Sequence, residues 1–140
     1  MSQLQQEQDL TVLEPSISSQ KKRILVVDDE VDITTIFKLA LEKVNLHVDV
    51  YNDPLLALTD YKAGMYDLLL FDIRMPGMNG FELHYKIQKI DDKVKVCYIC
   101  AYELDYIRLT ETFPSLKTEC LIKKPVDIDD LVKRVKAELA

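Results

Sequence analysis

Four residues give this chain its chemical capacity. Asp28 and Asp29 stand side by side after one apolar run, Asp72 follows a second, and Lys124 follows a third. If the first and third strands are neighbours in a sheet, the three carboxylates converge at one rim. Carboxylates that close repel, and some pKa values rise unless a cation intervenes. A hard divalent ion resolves the conflict; Mg²⁺ takes one or two carboxylates together with waters and phosphate oxygens. An ammonium at the same rim pairs with a phosphate oxygen as a point charge. Cation, lysine and an aspartate nucleophile are the parts that aspartyl-phosphate chemistry requires. Each residue alone has a plainer use: Asp29 as a helix cap, Asp72 as a turn residue, Lys124 as a solvated strand end. Their joint occurrence at three strand ends argues for one site.

The elements that must position them follow from the apolar pattern. Arg23–Val27, Leu46–Tyr51, Tyr66–Phe71, Val94–Ile99 and Glu119–Lys123 read as strands. Leu68–Phe71 is continuously apolar, as a strand covered on both faces should be, whereas LHVDVY alternates like an edge strand. Helices are expected at about 30–43, 54–63, 79–90, 102–112 and 127–139. In the last, Ile128, Leu131, Val132, Val135 and Leu139 form one apolar stripe. Asn79 and Asp127 are N-cap candidates and Pro54 suits a first turn. Strict alternation signals βα units around a parallel sheet, whose functional loops lie at the carboxyl ends of the strands. Residues 1–21, rich in Gln, Ser and Glu, read as a flexible tail; residues 22–140 read as one domain.

The bulk properties exclude several classes. The 140 residues argue for one domain, and 48% hydrophobic with 30% charged residues is ordinary for a globular chain. A net charge of −6 argues against direct nucleic-acid binding. No run is long and apolar enough to span a membrane, and the start, MSQLQQEQDL, is not a secretory signal. Cys97, Cys100 and Cys120 read as reduced cysteines of a cytoplasmic protein; the Cys97/Cys100 spacing lies within a strand-like run, not at the helix start of a redox motif.

KRILVVDDE, LLLFDIRMPGMNGFEL and LIKKPVD together resemble the signature segments of response-regulator receiver domains of two-component signalling, over about residues 22–140. The resemblance implies an α/β, flavodoxin-like (βα)5 three-layer sandwich with a parallel five-stranded sheet in order 2-1-3-4-5. It implies Asp72 as phosphoacceptor and Lys124 as the lysine that contacts the phosphoryl group, before Pro125 in a cis bond. Mg²⁺ (or Mn²⁺) would be held by Asp28, Asp29, Asp72 and the backbone carbonyl of Arg74. Pro76, Asn79 and Gly80 match the loop and helix start after the acceptor. The implied donor is a sensor histidine kinase or a phosphotransfer protein. The downstream partner, an unknown protein, would dock on the face of the fourth helix, fifth strand and fifth helix; a homodimer is left open.

Two positions depart from that pattern. Cys100 stands where the family has a Ser or Thr whose hydroxyl reaches the phosphoryl group, and a thiol is a weak donor. Leu121 replaces the Tyr or Phe that serves as a rotating switch. A receiver-fold interaction module no longer switched by phosphorylation is therefore the alternative. A hydrolase with an aspartyl-phosphate intermediate would carry a second acid where Arg74 stands. Cys100 itself admits two readings, a redox-sensitive thiolate or a small buried residue. Met75 and Met78 read as loop packing; Tyr102, Tyr106 and Phe113 suit an interface or ordinary packing. The sequence stops after the last expected helix, so any effect is expected to pass through a partner unless these residues are a fragment of a longer protein.

Overall fold

Period-2 alternation in the apolar runs sends successive side chains to opposite faces, so each central strand needs cover on both sides. The structure, a computed structural model, describes residues 21–116 and 118–140. Its elements are β1 Arg23–Val27, α1 Val31–Glu42, β2 His47–Tyr51, α2 Pro54–Asp60, β3 Leu68–Asp72, α3 Gly80–Gln88, β4 Lys95–Cys100, α4 Glu103–Thr112, a 3₁₀ turn Pro114–Leu116, β5 Leu121–Lys123 and α5 Ile128–Leu139. The strands form one sheet in the order β2-β1-β3-β4-β5, every pairing parallel. Apart from Lys21, the expected tail lies outside the described residues.

The alternation builds two cores. Leu25, Val27, Leu69, Phe71, Tyr98 and Cys100 meet Ala57 of α2 and Phe81, Leu83 and Ile87 of α3 on one face. Ile24, Val26, Leu68, Leu70, Cys97 and Ile99 meet Phe37 and Leu41 of α1 and Leu131 and Val135 of α5 on the other. Met75 and Met78 are buried in the first core, in agreement with loop packing. Tyr106 and Phe113 pack on Phe81, while Tyr102 is exposed beneath the guanidinium of Arg74.

Three differences from the sequence expectation have physical causes. First, α2 ends at Asp60 rather than near 63, because Tyr61 turns extended and its hydroxyl donates to Asp91. Second, α1 begins at Val31 rather than near 30: its N-cap position is Glu30, which makes no side-chain capping bond, so the plainer alternative of Asp29 as the helix cap does not hold. Third, the expectation of three reduced cysteines is corrected for two of them. Tyr98 opposite Leu121 sets the register that brings Cys97 beside Cys120, and the two form a disulfide with Cα atoms 4.7 Å apart. Cys100 is three residues from Cys97, an odd step that sends it to the opposite face, where it is free and buried.

Candidate phosphoacceptor site

The sheet ladder runs past each strand end and fixes the first loop residue. Asp28 N–H donates to Tyr51 O at 3.1 Å, Ile73 N–H to Ile99 O at 2.9 Å, and Lys124 N–H to Cys100 O at 2.8 Å. Backbone groups so anchored leave the side chains little freedom in where they emerge. The Lys124–Pro125 peptide is cis. On the other side of Asp72, α3 starts close against β3. A Cβ on Gly80 would strike the Asp72 carbonyl oxygen, so glycine is the residue that allows this approach. Gly80 N–H donates to Ile73 O at 3.0 Å, and Asn79 with Glu82 completes a capping box.

Carboxylate oxygens of Asp28, Asp29 and Asp72 lie within 4.8 Å of one another. Asp28 is fully buried and Asp72 is 4% exposed. Lys124 Nζ sits 3.3 Å from Asp28 Oδ2, 3.5 Å from Asp72 Oδ1 and 2.8 Å from Glu30 Oε1. Asp29, Asp72, Arg74, Cys100 and Lys124 share a cavity of about 250 Å³. All six sequence-selected residues thus meet at one rim.

Burial and the neighbouring Asp28 push the Asp72 carboxyl up to about 7, against the pull of Lys124. Burial also raises Asp28. Burial alone would lower Lys124, but Glu30, Asp28 and Asp72 outweigh it and raise the ammonium's pKa. An acid trio that one ammonium cannot fully neutralise is a strained arrangement electrostatically. Asp28 Oδ2 is buried with no partner of hydrogen-bond geometry; only the Lys124 ammonium, 3.3 Å away, offsets its charge. One oxygen from each of three clustered carboxylates suits a hard divalent cation, so the residues present fit the expected Mg²⁺. The Cys100 thiol is pushed up by burial, the opposite of what a reactive thiolate needs.

Three neighbours were not singled out from the sequence as site residues. Glu30 reaches Lys124 across 94 positions. Asn52 donates to Asp28 O at 2.8 Å and Thr34 Oγ1 at 2.9 Å, tying β2's end to the acidic loop. Asp105 accepts two bonds from the Arg74 guanidinium, at 2.7 and 3.1 Å. Asn52 directly after a strand and Glu30 directly after the acid pair were the local cues.

Several known proteins resemble this chain in sequence and fold. The chain is 30% identical over 118 residues to the response regulator receiver protein CpdR of Brucella abortus, covering 84% of this chain and 97% of that protein. It is 31% identical over 119 residues to sporulation initiation phosphotransferase F of Bacillus subtilis, covering 84% and 94%. The chain spans about half the length of other relatives, such as the regulatory protein YkoG of Bacillus subtilis, at 29% identity, 86% of this chain and 52% of that protein. Among solved structures, TrrA of Thermotoga maritima in complex with Mg²⁺-BeF superposes with a TM-score of 0.72 at 32% identity, covering 84% of this chain and 99% of that one. The non-phosphorylated HemR receiver domain of Leptospira biflexa gives 0.75 at 25% identity, with 86% and 95% covered. The family model for the response regulator receiver domain matches residues 24–136. From Ile24 to Lys136, then, the chain belongs to the receiver domains of response regulators, signalling modules of two-component systems.

Proposed function

We propose that this receiver takes a phosphoryl group onto Asp72 from a sensor histidine kinase or phosphotransfer protein, and that it signals through protein contacts. The observation that carries the reading is the buried acid trio facing Lys124 at one rim of the sheet. One Asp72 carboxylate oxygen attacks the phosphorus of a phosphohistidine in line. The O–P bond forms as the P–N bond breaks, and the departing imidazole recovers a proton. Lys124 balances charge on the phosphoryl oxygens. A divalent ion held by Asp28, Asp29, Asp72 and the Arg74 carbonyl would supply further positive charge there. Packing of β3 on both faces holds the nucleophile still, and its burial keeps competing water away.

Cys100 occupies the relay position and Leu121 the switch position. Neither can act as the usual hydroxyl and ring do, and this favours the second reading, a receiver-fold module insensitive to phosphorylation. Titration with beryllofluoride and Mg²⁺, followed by two-dimensional NMR, separates the two. A switched phosphoacceptor shows saturable shifts around Asp72 that extend to α4, β5 and α5 and are abolished in Asp72→Ala. Shifts confined to the residues around Asp72, or unchanged spectra, in the wild type would favour the unswitched module.

A further inference from the structure

We propose that Glu30 is a positioning residue that competes with Asp72 for the Lys124 ammonium until a phosphoryl group claims it. Of the three carboxylates around Nζ, Glu30 is the nearest, at 2.8 Å against 3.3 Å for Asp28 and 3.5 Å for Asp72. The contact has hydrogen-bond geometry, and a charge-assisted bond of that length is a strong one. Both residues have fixed backbones. Glu30 N–H donates to Asp28 Oδ1 at 2.9 Å, and Lys124 N–H donates to Cys100 O. Only the side chains are free to exchange partners.

The placement of Glu30 supports this reading independently. It occupies the N-cap position of α1 but makes no capping bond, a position where Asp, Asn, Ser or Thr would stabilise the helix. The longer side chain forgoes that role and crosses to the lysine. Glu30 is the exposed partner, at 58% of its side-chain surface, while Lys124 is 17% exposed. The pull comes from the solvent side, away from the buried acids. A phosphoryl group on Asp72 must compete with it for the ammonium, so Glu30 weights the balance toward the unphosphorylated state.

The inference rests on Asp72 being the acceptor, and the test separates the two claims. Mg²⁺ alone and beryllofluoride with Mg²⁺ are titrated by calorimetry into the wild type, Glu30→Asp and Glu30→Gln. Aspartate keeps the charge but lacks the reach, and it caps the helix instead. The expected result for Glu30→Asp is opposite shifts: beryllofluoride bound about two- to fivefold tighter, the range for a partly exposed ion pair, and Mg²⁺ bound more weakly as Lys124 turns to Asp28 and Asp72. Its thermal midpoint should equal or exceed the wild type's. If Glu30→Asp binds both probes as the wild type does while Glu30→Gln differs, only net charge matters and the positioning role is overturned. If the wild type binds neither probe, the acceptor assignment fails, and this inference with it.

Discussion

Asp72 and His84 are two buried titratable groups whose effects on stability oppose each other. Asp72 is raised to about 7 by burial and by Asp28. His84, bonded through Nδ1 to the Tyr98 hydroxyl, is lowered to about 4 by burial. As pH falls from 6.5 to 5, folded Asp72 gains a proton that the unfolded chain does not yet hold, so the native state gains stability. Over the same interval the unfolded chain's histidine gains a proton that folded His84 refuses, so the native state loses stability. Each slope is at most about 1.4 kcal/mol per pH unit. In chelator, the Asp72 and His84 contributions should nearly cancel across this window. Asp72→Asn should lose roughly 1 kcal/mol on acidification, and His84→Gln should gain a similar amount. Urea unfolding at four pH values measures this; parallel profiles for all three proteins would contradict the electrostatic assignment. Asp72→Asn should also be more stable than the wild type at pH 8, because it removes one of three repelling acids.

Among the elements, α3 is the one most tightly coupled to the acceptor. Gly80 lets the helix start against the Asp72 carbonyl, and the Asn79–Glu82 capping box fixes that start. Asn79→Ala should cost about 1 kcal/mol with beryllofluoride binding retained. Gly80→Ala must move either the helix or the end of β3, so it should cost more, about 2 kcal/mol, and weaken beryllofluoride binding as well. Equal effects of the two substitutions on binding would argue against the coupling. These elements were legible in the sequence because burial on two faces writes itself as Leu68–Phe71, and because Asn79 and Asp127 are capping residues at the right offsets. The early end of α2 was not legible. No helix breaker precedes Gly64, and the hydroxyl contact from Tyr61 to Asp91 spans 30 positions. The disulfide was likewise hidden, since it depends on the β4–β5 register and not on cysteine spacing.

Taken as a whole, the molecule is unevenly secured. The other four helices each bury side chains in one of the two cores, but α4 buries none completely. It is held mainly by Tyr106, whose ring packs on Phe81 and Tyr98 and whose hydroxyl donates to Thr118 O at 2.6 Å, and by the Arg74–Asp105 pair at the mouth of the site. Helices with few buried contacts open at low free energy. Amide exchange in Glu103–Thr112 should therefore be at least tenfold faster than in Ile128–Leu139, and beryllofluoride should slow it. Protection in α4 equal to that in α5 would contradict this. The acid trio and Lys124 were readable because each follows a strand end. Their convergence followed once the strand order was known, while Glu30, Asn52 and Asp105 depend on side-chain contacts between distant segments. Everything functional turns on whether Asp72 accepts a phosphoryl group. Intact-mass analysis after incubation with acetyl phosphate and Mg²⁺ decides it. One phosphoryl adduct on the wild type and none on Asp72→Ala is the expected result; an adduct on both proteins, or on neither, would contradict it.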